Sequence, residues 1–226
     1  MIDTKIGRTM TVVTIDRPHK RNALTSDELS ALEATFEVLD TPVACLRGSG
    51  SAFCAGADLA AVADLDADGA EEFARHGQRV ATAIEESSTV VVAAIDGPAR
   101  GGGVELALAC DLRIATPDAT FAETGVRLGL FGAWGGTHRL PRIVGVGNAM
   151  DLALSGRTID AETALRMGLV SRVTDDPETV AASLAENDRG ALETIKKRFN
   201  DDASPEQQEH REAKAFAACI ERTDPD

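Results

Sequence analysis

The chain has 226 residues, 43% of them hydrophobic, enough for one large core and a small appendage without a second full domain. Its 23 basic and 37 acidic residues give a net charge of −14, which argues against nucleic acid and anionic membrane as partners. Four cysteines (Cys45, Cys54, Cys110, Cys219) without a C-x-x-C pair read as reduced thiols, not as disulfides or a metal site.

No apolar stretch reaches the ~18 residues of a membrane span, and Met1-Ile2-Asp3-Thr4-Lys5 lacks a signal-peptide core, so the expected location is the cytoplasm. Only Lys5, Lys20, Lys196, Lys197 and Lys214 are lysines. So acidic and lysine-poor a surface suits a salt-rich, halophilic interior, where screening relieves self-repulsion.

In chain order, Thr9 to Ile15 has the β-branched alternation of a strand, and Ile2 to Ile6 pairs with it through Gly7-Arg8 as a hairpin. Thr25-Ser26-Asp27-Glu28 is a cap followed by Glu, and Leu29, Leu32, Phe36 and Leu39 continue it at helical spacing. Val43 to Leu46 is a short strand, Ala70 to Glu86 a long helix, and Val90 to Ile95 a buried strand that Asp96-Gly97-Pro98 closes as a turn. Strands and helices in alternation favour parallel crossovers. Short strands follow at Leu112 to Ala115 and Thr120 to Ala122, then a glycine-rich segment from Gly125 to Gly136. Helices are expected at Asn148 to Leu154, Ala161 to Met167, Pro177 to Glu186, Gly190 to Phe199 and Pro205 to Arg222.

The run Gly101-Gly102-Gly103-Val104-Glu105 reads as a glycine turn opening a helix. A helix start offers unpaired N–H groups and the positive end of the dipole, which together suit a developing negative charge on a ligand oxygen. Glu105 on that first turn is a candidate acid or base. Taken alone, the same residues are equally a plain turn with a dipole-stabilising glutamate.

Four blocks narrow the reading. They are Asp16-Arg17-Pro18-His19-Lys20-Arg21-Asn22-Ala23-Leu24, Ser51-Ala52-Phe53-Cys54-Ala55-Gly56-Ala57-Asp58-Leu59, Asp96-Gly97-Pro98-Ala99-Arg100-Gly101-Gly102-Gly103-Val104-Glu105-Leu106 and Gly135-Gly136-Thr137-His138-Arg139-Leu140-Pro141-Arg142. In this order and spacing the chain closely resembles the crotonase (enoyl-CoA hydratase/isomerase) superfamily. The resemblance implies an α/β fold, a crotonase-like (ClpP/crotonase) spiral of β-β-α units with a C-terminal helical trimerisation region. It further implies an acyl-CoA-binding core over residues 1–170, a helical region over 171–226, and assembly as a homotrimer or hexamer. Members commonly carry one more helix, with aromatic and basic residues near the CoA site, and that helix is expected to be missing beyond Asp226.

By the same resemblance the substrate is an acyl-CoA thioester, with coenzyme A entering as part of it and no tightly bound cofactor or metal. The oxyanion hole falls to the backbone N–H groups of Ala57 and Gly102; such donors typically contribute about 3–4 kcal/mol each in a dry site. Arg21 and Ala23 fall in the segment that meets the CoA nucleotide, and Ala55, Asp58 and Leu59 line the adenine and pantetheine path. A surface charge at Arg21 and a helix cap at Asp58 are the simpler alternatives.

Glu105 matches the first catalytic glutamate of the family's hydratases. The position of the second is Gly125, and the hydratases' water-positioning glycine corresponds to Ala133, followed by Trp134. Glu123 shares a face of extended chain with residue 125 and is the candidate replacement, roughly 6–7 Å away; its alternative is a structural or interface carboxylate paired with an arginine such as Arg127. Trp134 either narrows the acyl pocket or is a core or trimer-contact aromatic. The leading expectation is a 2-enoyl-CoA hydratase with Glu105 as acid/base. An enoyl-CoA isomerase, an acyl-CoA decarboxylase or a non-catalytic acyl-CoA-binding paralogue are the alternatives.

Overall fold

A computed structural model describes residues 1–222. β1 (Ile2–Ile6) and β2 (Met10–Ile15) form the antiparallel hairpin, and every second residue of β2 is buried. α1 (Ser26–Val38) starts at Thr25, whose N–H donates to the Glu28 carboxylate at 3.1 Å, and it buries Leu29, Leu32 and Phe36. There follow β3 (Val43–Gly48), α2 (Leu59–Ala63), α3 (Ala67–Glu86), β4 (Val90–Ile95), β5 (Pro98–Arg100), α4 (Gly102–Ala109), β6 (Leu112–Ala115) and β7 (Thr120–Ala122). After a 3-10 turn at Thr124–Leu128 come α5 (Gly136–Ser155), β8 (Ile159–Asp160), α6 (Ala161–Arg166), β9 (Arg172–Val173), α7 (Pro177–Leu184), α8 (Arg189–Phe199) and α9 (Pro205–Arg222).

The main sheet runs β1-β2-β3-β4-β6-β9, parallel from β2 onward as the alternation of strands and helices requires. All six residues of β4 are buried because both sheet faces are covered. On one face Ala44, Leu46, Val91, Ala93 and Ile95 pack under α1, α3 and α4; on the other Val43, Cys45, Val90 and Val92 meet α7. Each large aliphatic side chain so buried contributes about 1.5–3 kcal/mol. Burial also pushes the thiols of Cys45, Cys54 and Cys110 up to about 12, and these three cysteines form no disulfide. They are inert packing residues.

Three short strands depart from the sequence reading. Asp96-Gly97-Pro98 does not lead straight into the glycine helix: Pro98–Arg100 forms β5, paired with β7 and through it with β8 in a second small sheet. Single bridges from Cys54 to Ala99 and from Leu24 to Ala57 extend that layer toward two of the motif blocks. β9 adds to the main sheet just past residue 170, so the expected boundary between core and helical region lies directly before a sheet strand. α5 begins twelve residues earlier than the helix expected from Asn148, with Pro141 inside it and a non-helical Gly145 marking a kink. No helix among the described residues is long and apolar enough to cross a membrane.

Candidate active site

The second small sheet brings two loops together. In the Leu24–Ala57 bridge, Leu24 N–H donates to Gly56 O and Asp58 N–H to Leu24 O, both at 2.8 Å. The Ala57 N–H between them takes no part. Gly56 has φ +83, and a Cβ there would lie 2.9 Å from Gly102 N, so only glycine lets the Ala57 turn close on the start of α4. Gly101 (φ +47) is the N-cap of α4, which leaves Gly102 N–H at the first helical position. Among the described residues neither Ala57 N nor Gly102 N donates to a protein oxygen. Two open amide donors thus stand side by side at a helix N-terminus.

The Ala57 loop is tied down from below. Buried Asn22 donates to the carbonyls of Ala52 at 2.7 Å and Ser49 at 2.9 Å, and its Oδ1 accepts from Arg17 N–H at 2.9 Å. Arg17 Nη1 meets Asp58 at 2.6 Å and Ala23 O at 2.9 Å. Asp58 also caps α2 by accepting from Ala60 N–H at 3.0 Å. Of the residues assigned by resemblance to CoA, Asp58 is thereby 7% exposed, and its carboxylate is committed to Arg17 and the cap. The cap reading describes that side chain, which has little left to offer a ligand. Ala23 is buried; Leu59 is exposed, and Arg21 is exposed with φ +52 at the mouth of the same segment. Ala55 N–H donates to Arg21 O at 3.0 Å, which ties the two segments together.

Glu105 is 3% exposed. Its Oε1 accepts from the backbone N–H groups of Trp134 and Gly136, each at 2.7 Å. A Cβ on Gly136 would lie 2.9 Å from Oε1 and one on Gly132 3.1 Å, so the glycine-rich segment is a cradle shaped to one carboxylate. Burial raises its pKa to about 7 against the opposing pull of the two N–H donors and of Arg139.

Glu123, at the end of β7, is 7% exposed. Its Oε1 is buried without a hydrogen-bond partner among the described residues, which speaks against a pair with Arg127 inside this chain. Burial and then the charge of Glu105 push its pKa up to about 8, which sets the two carboxyl groups within electrostatic reach of each other. Gly125 offers no carboxyl, and a Cβ there would fit tightly against the Leu130 carbonyl and Phe131 N, at 3.2 and 3.3 Å. Trp134 is 4% exposed within the single chain, so it is not a trimer-contact aromatic.

The two amides of the Glu105 cradle, and Arg139 behind them, escaped the sequence reading. Arg139 bridges the Trp134 carbonyl at 3.2 Å to Glu85 on α3 at 2.7 Å. The only signal for the cradle was the density of glycines between Gly125 and Gly136.

Comparison with known proteins agrees with this geometry. The family model for enoyl-CoA hydratase/isomerase matches residues 5–223. A crotonyl-CoA hydratase from Syntrophomonas wolfei is 42% identical over 174 residues, 75% of this chain and 67% of that protein. A short-chain-enoyl-CoA hydratase from Clostridium acetobutylicum is 38% identical over 172 residues, 74% of this chain and 66% of the relative. The crystal structure of an enoyl-CoA hydratase from Thermoplasma volcanium superposes with a TM-score of 0.93 at 31% identity, covering 98% of this chain and 93% of the other. The fold is therefore that of the crotonases, and the chain belongs to the enoyl-CoA hydratase/isomerase family.

Proposed function

We propose that this chain is a 2-enoyl-CoA hydratase in which Glu105 and Glu123 divide the acid and base work. The thioester oxygen lies between Ala57 N–H and Gly102 N–H, where negative charge develops as water adds. Glu105, ionised, takes a proton from water while the water oxygen bonds to C3. The electrons of the C2–C3 double bond move toward the thioester oxygen, and Glu123, protonated, delivers its proton to C2. One water is consumed, and the proton gained by Glu105 makes good the one lost by Glu123. The observation that carries this reading is the buried Glu123 carboxyl, whose Oε1 has no partner among the described residues and which feels the charge of Glu105, with burial raising both groups toward neutral pH.

The CoA path runs past Arg21, Ala23, Ala55 and Leu59, with Asp58 contributing through its cap and backbone. No tightly bound cofactor is required by these steps. A homotrimer or hexamer belongs to the same proposal: Leu128, Phe131, Val146, Met150 and Leu154 are exposed on the 3-10 turn, the loop after it and α5, and such a surface needs cover. The net charge of −14 supports a cytoplasmic setting rich in salt.

The test is hydration of crotonyl-CoA, followed by loss of enoyl-thioester absorbance and by product mass. The wild-type protein should turn it over and Glu105→Gln should lose about 10³-fold or more in kcat. Turnover of a 3-enoyl-CoA or of methylmalonyl-CoA alone would assign isomerase or decarboxylase chemistry to the site. Binding without turnover of any of the three would make the chain a non-catalytic acyl-CoA binder.

A further inference from the structure

We propose that Trp134 sets the length of acyl chain that the site accepts, closing it behind the first few carbons so that short 2-enoyl thioesters are the substrates; this rests on the acyl-CoA reading above. The indole lies between two helices at positions that lack side chains. Its five-membered ring rests on Gly77 of α3 and its six-membered ring on Gly102 of α4, so closely that a Cβ on either glycine would fall inside the ring system. Phe73, one turn before Gly77, backs the indole with ring centroids 5.7 Å apart at 57°.

The backbone that carries the ring is held in place. Trp134 N–H donates to Glu105 Oε1 at 2.7 Å, its carbonyl accepts from Arg139 Nη1 at 3.2 Å, and the preceding carbonyl, of Ala133, accepts from Gln78 Nε2 at 2.8 Å. Three anchors hold the peptide, and two helices clamp the ring.

The site's geometry fixes where the acyl chain begins. C1 lies at the Ala57 and Gly102 donors, and C2 and C3 must face Glu105 and Glu123. Carbons beyond these have to pass the start of α4 on its way toward α3. The indole, packed on Gly102 of α4 and Gly77 of α3, bridges those two helices. A longer chain meets an immobile aromatic wall, and because well-packed interiors do not yield a methylene without strain, discrimination by length is steep.

The experiment is a chain-length profile. Wild-type kcat/KM should fall by about a hundredfold from crotonyl-CoA to 2-decenoyl-CoA. Trp134→Ala should raise the decenoyl-to-crotonyl ratio by about tenfold or more, and Trp134→Phe by less. The ratio is the readout because the Trp134 peptide also holds Glu105, so absolute rates are expected to drop. Wild-type protein that takes both substrates within about threefold, or a Trp134→Ala ratio equal to wild type, overturns the proposal. Dissociation constants for the saturated butyryl-CoA and decanoyl-CoA, measured on the same proteins by titration calorimetry, keep the two readings apart. Tight butyryl-CoA and weak decanoyl-CoA binding in the wild type, relaxed in Trp134→Ala, supports the length limit even if no substrate turns over, and equal binding of both refutes it.

Discussion

Two stretches build the site in opposite ways. Residues 101–105 contribute open backbone N–H groups at a helix start, an arrangement defined within five residues of chain. Residues 123–136 contribute a buried acid and a cradle of amides for a carboxylate that belongs to another helix. In the proposed reaction the first half stabilises charge and depends on small residues, and the second governs protons and depends on exclusion of water. The difference teaches that the donors will tolerate neighbouring change so long as their loops hold, whereas the carboxylates depend on every contact that keeps them dry.

Glu123→Gln probes this most sharply. It retains size and burial but removes the proton donor, and kcat should fall by about 10²–10⁴-fold while crotonyl-CoA affinity changes little. A variant with wild-type kcat would leave Glu105 as the only working carboxylate and break the contrast.

The pH profile gives the next effect. Glu105 must be ionised and is so above about 7, and Glu123 must be protonated and is so below about 8. Rate should therefore rise toward pH 7, decline beyond pH 8, and change by about tenfold per pH unit on each outer limb. In Glu123→Gln the residual rate should keep the acidic limb and lose the alkaline one. A profile flat from pH 5 to 9 would show that neither group titrates in the rate-limiting step.

On the donor side the effect is smaller and falls on stability. Asp58→Ala leaves Arg17 without its ion pair and α2 without its cap, and should cost about 1–2 kcal/mol, read as a lower urea midpoint at unchanged m-value. Crotonyl-CoA turnover should drop only a few-fold, since Asn22 still anchors the Ala57 loop. A loss comparable with that of Glu123→Gln would mean that the donor loop is as fragile as the carboxylate pair.

The same division explains what could be read from the chain. The hairpin, α1, β4 and the α4 start follow from local alternation, capping and turn chemistry, and the structure has them where those patterns lie. β5, β8 and β9 are two or three residues long and exist because partners pair with them, which no local pattern announces. In the site, the Ala57 and Gly102 donors rest on motifs and were legible. For Glu123 the shared face with residue 125 was legible, but its availability was not. That depends on the backbone of Leu130 and Phe131 folding back over Gly125 and on what surrounds the Glu123 carboxyl in space. The Trp134 and Gly136 amides lie 29 and 31 residues from Glu105, and only tertiary packing joins them.

The cradle has a consequence for α5 itself. Gly135, its N-cap residue, has no side chain with which to cap the helix, and the Glu105 carboxylate supplies the missing acceptor at Gly136 from across the fold. Carboxylate and helix end are thus one unit: the dipole of the helical segment that precedes the Gly145 kink favours the ionised carboxylate, and the carboxylate satisfies that segment's first amide. In the proposed cycle each protonation of Glu105 weakens that cap, so the turnover of a proton is felt at the root of this helix. Proton transfer and helix end meet at a single oxygen atom.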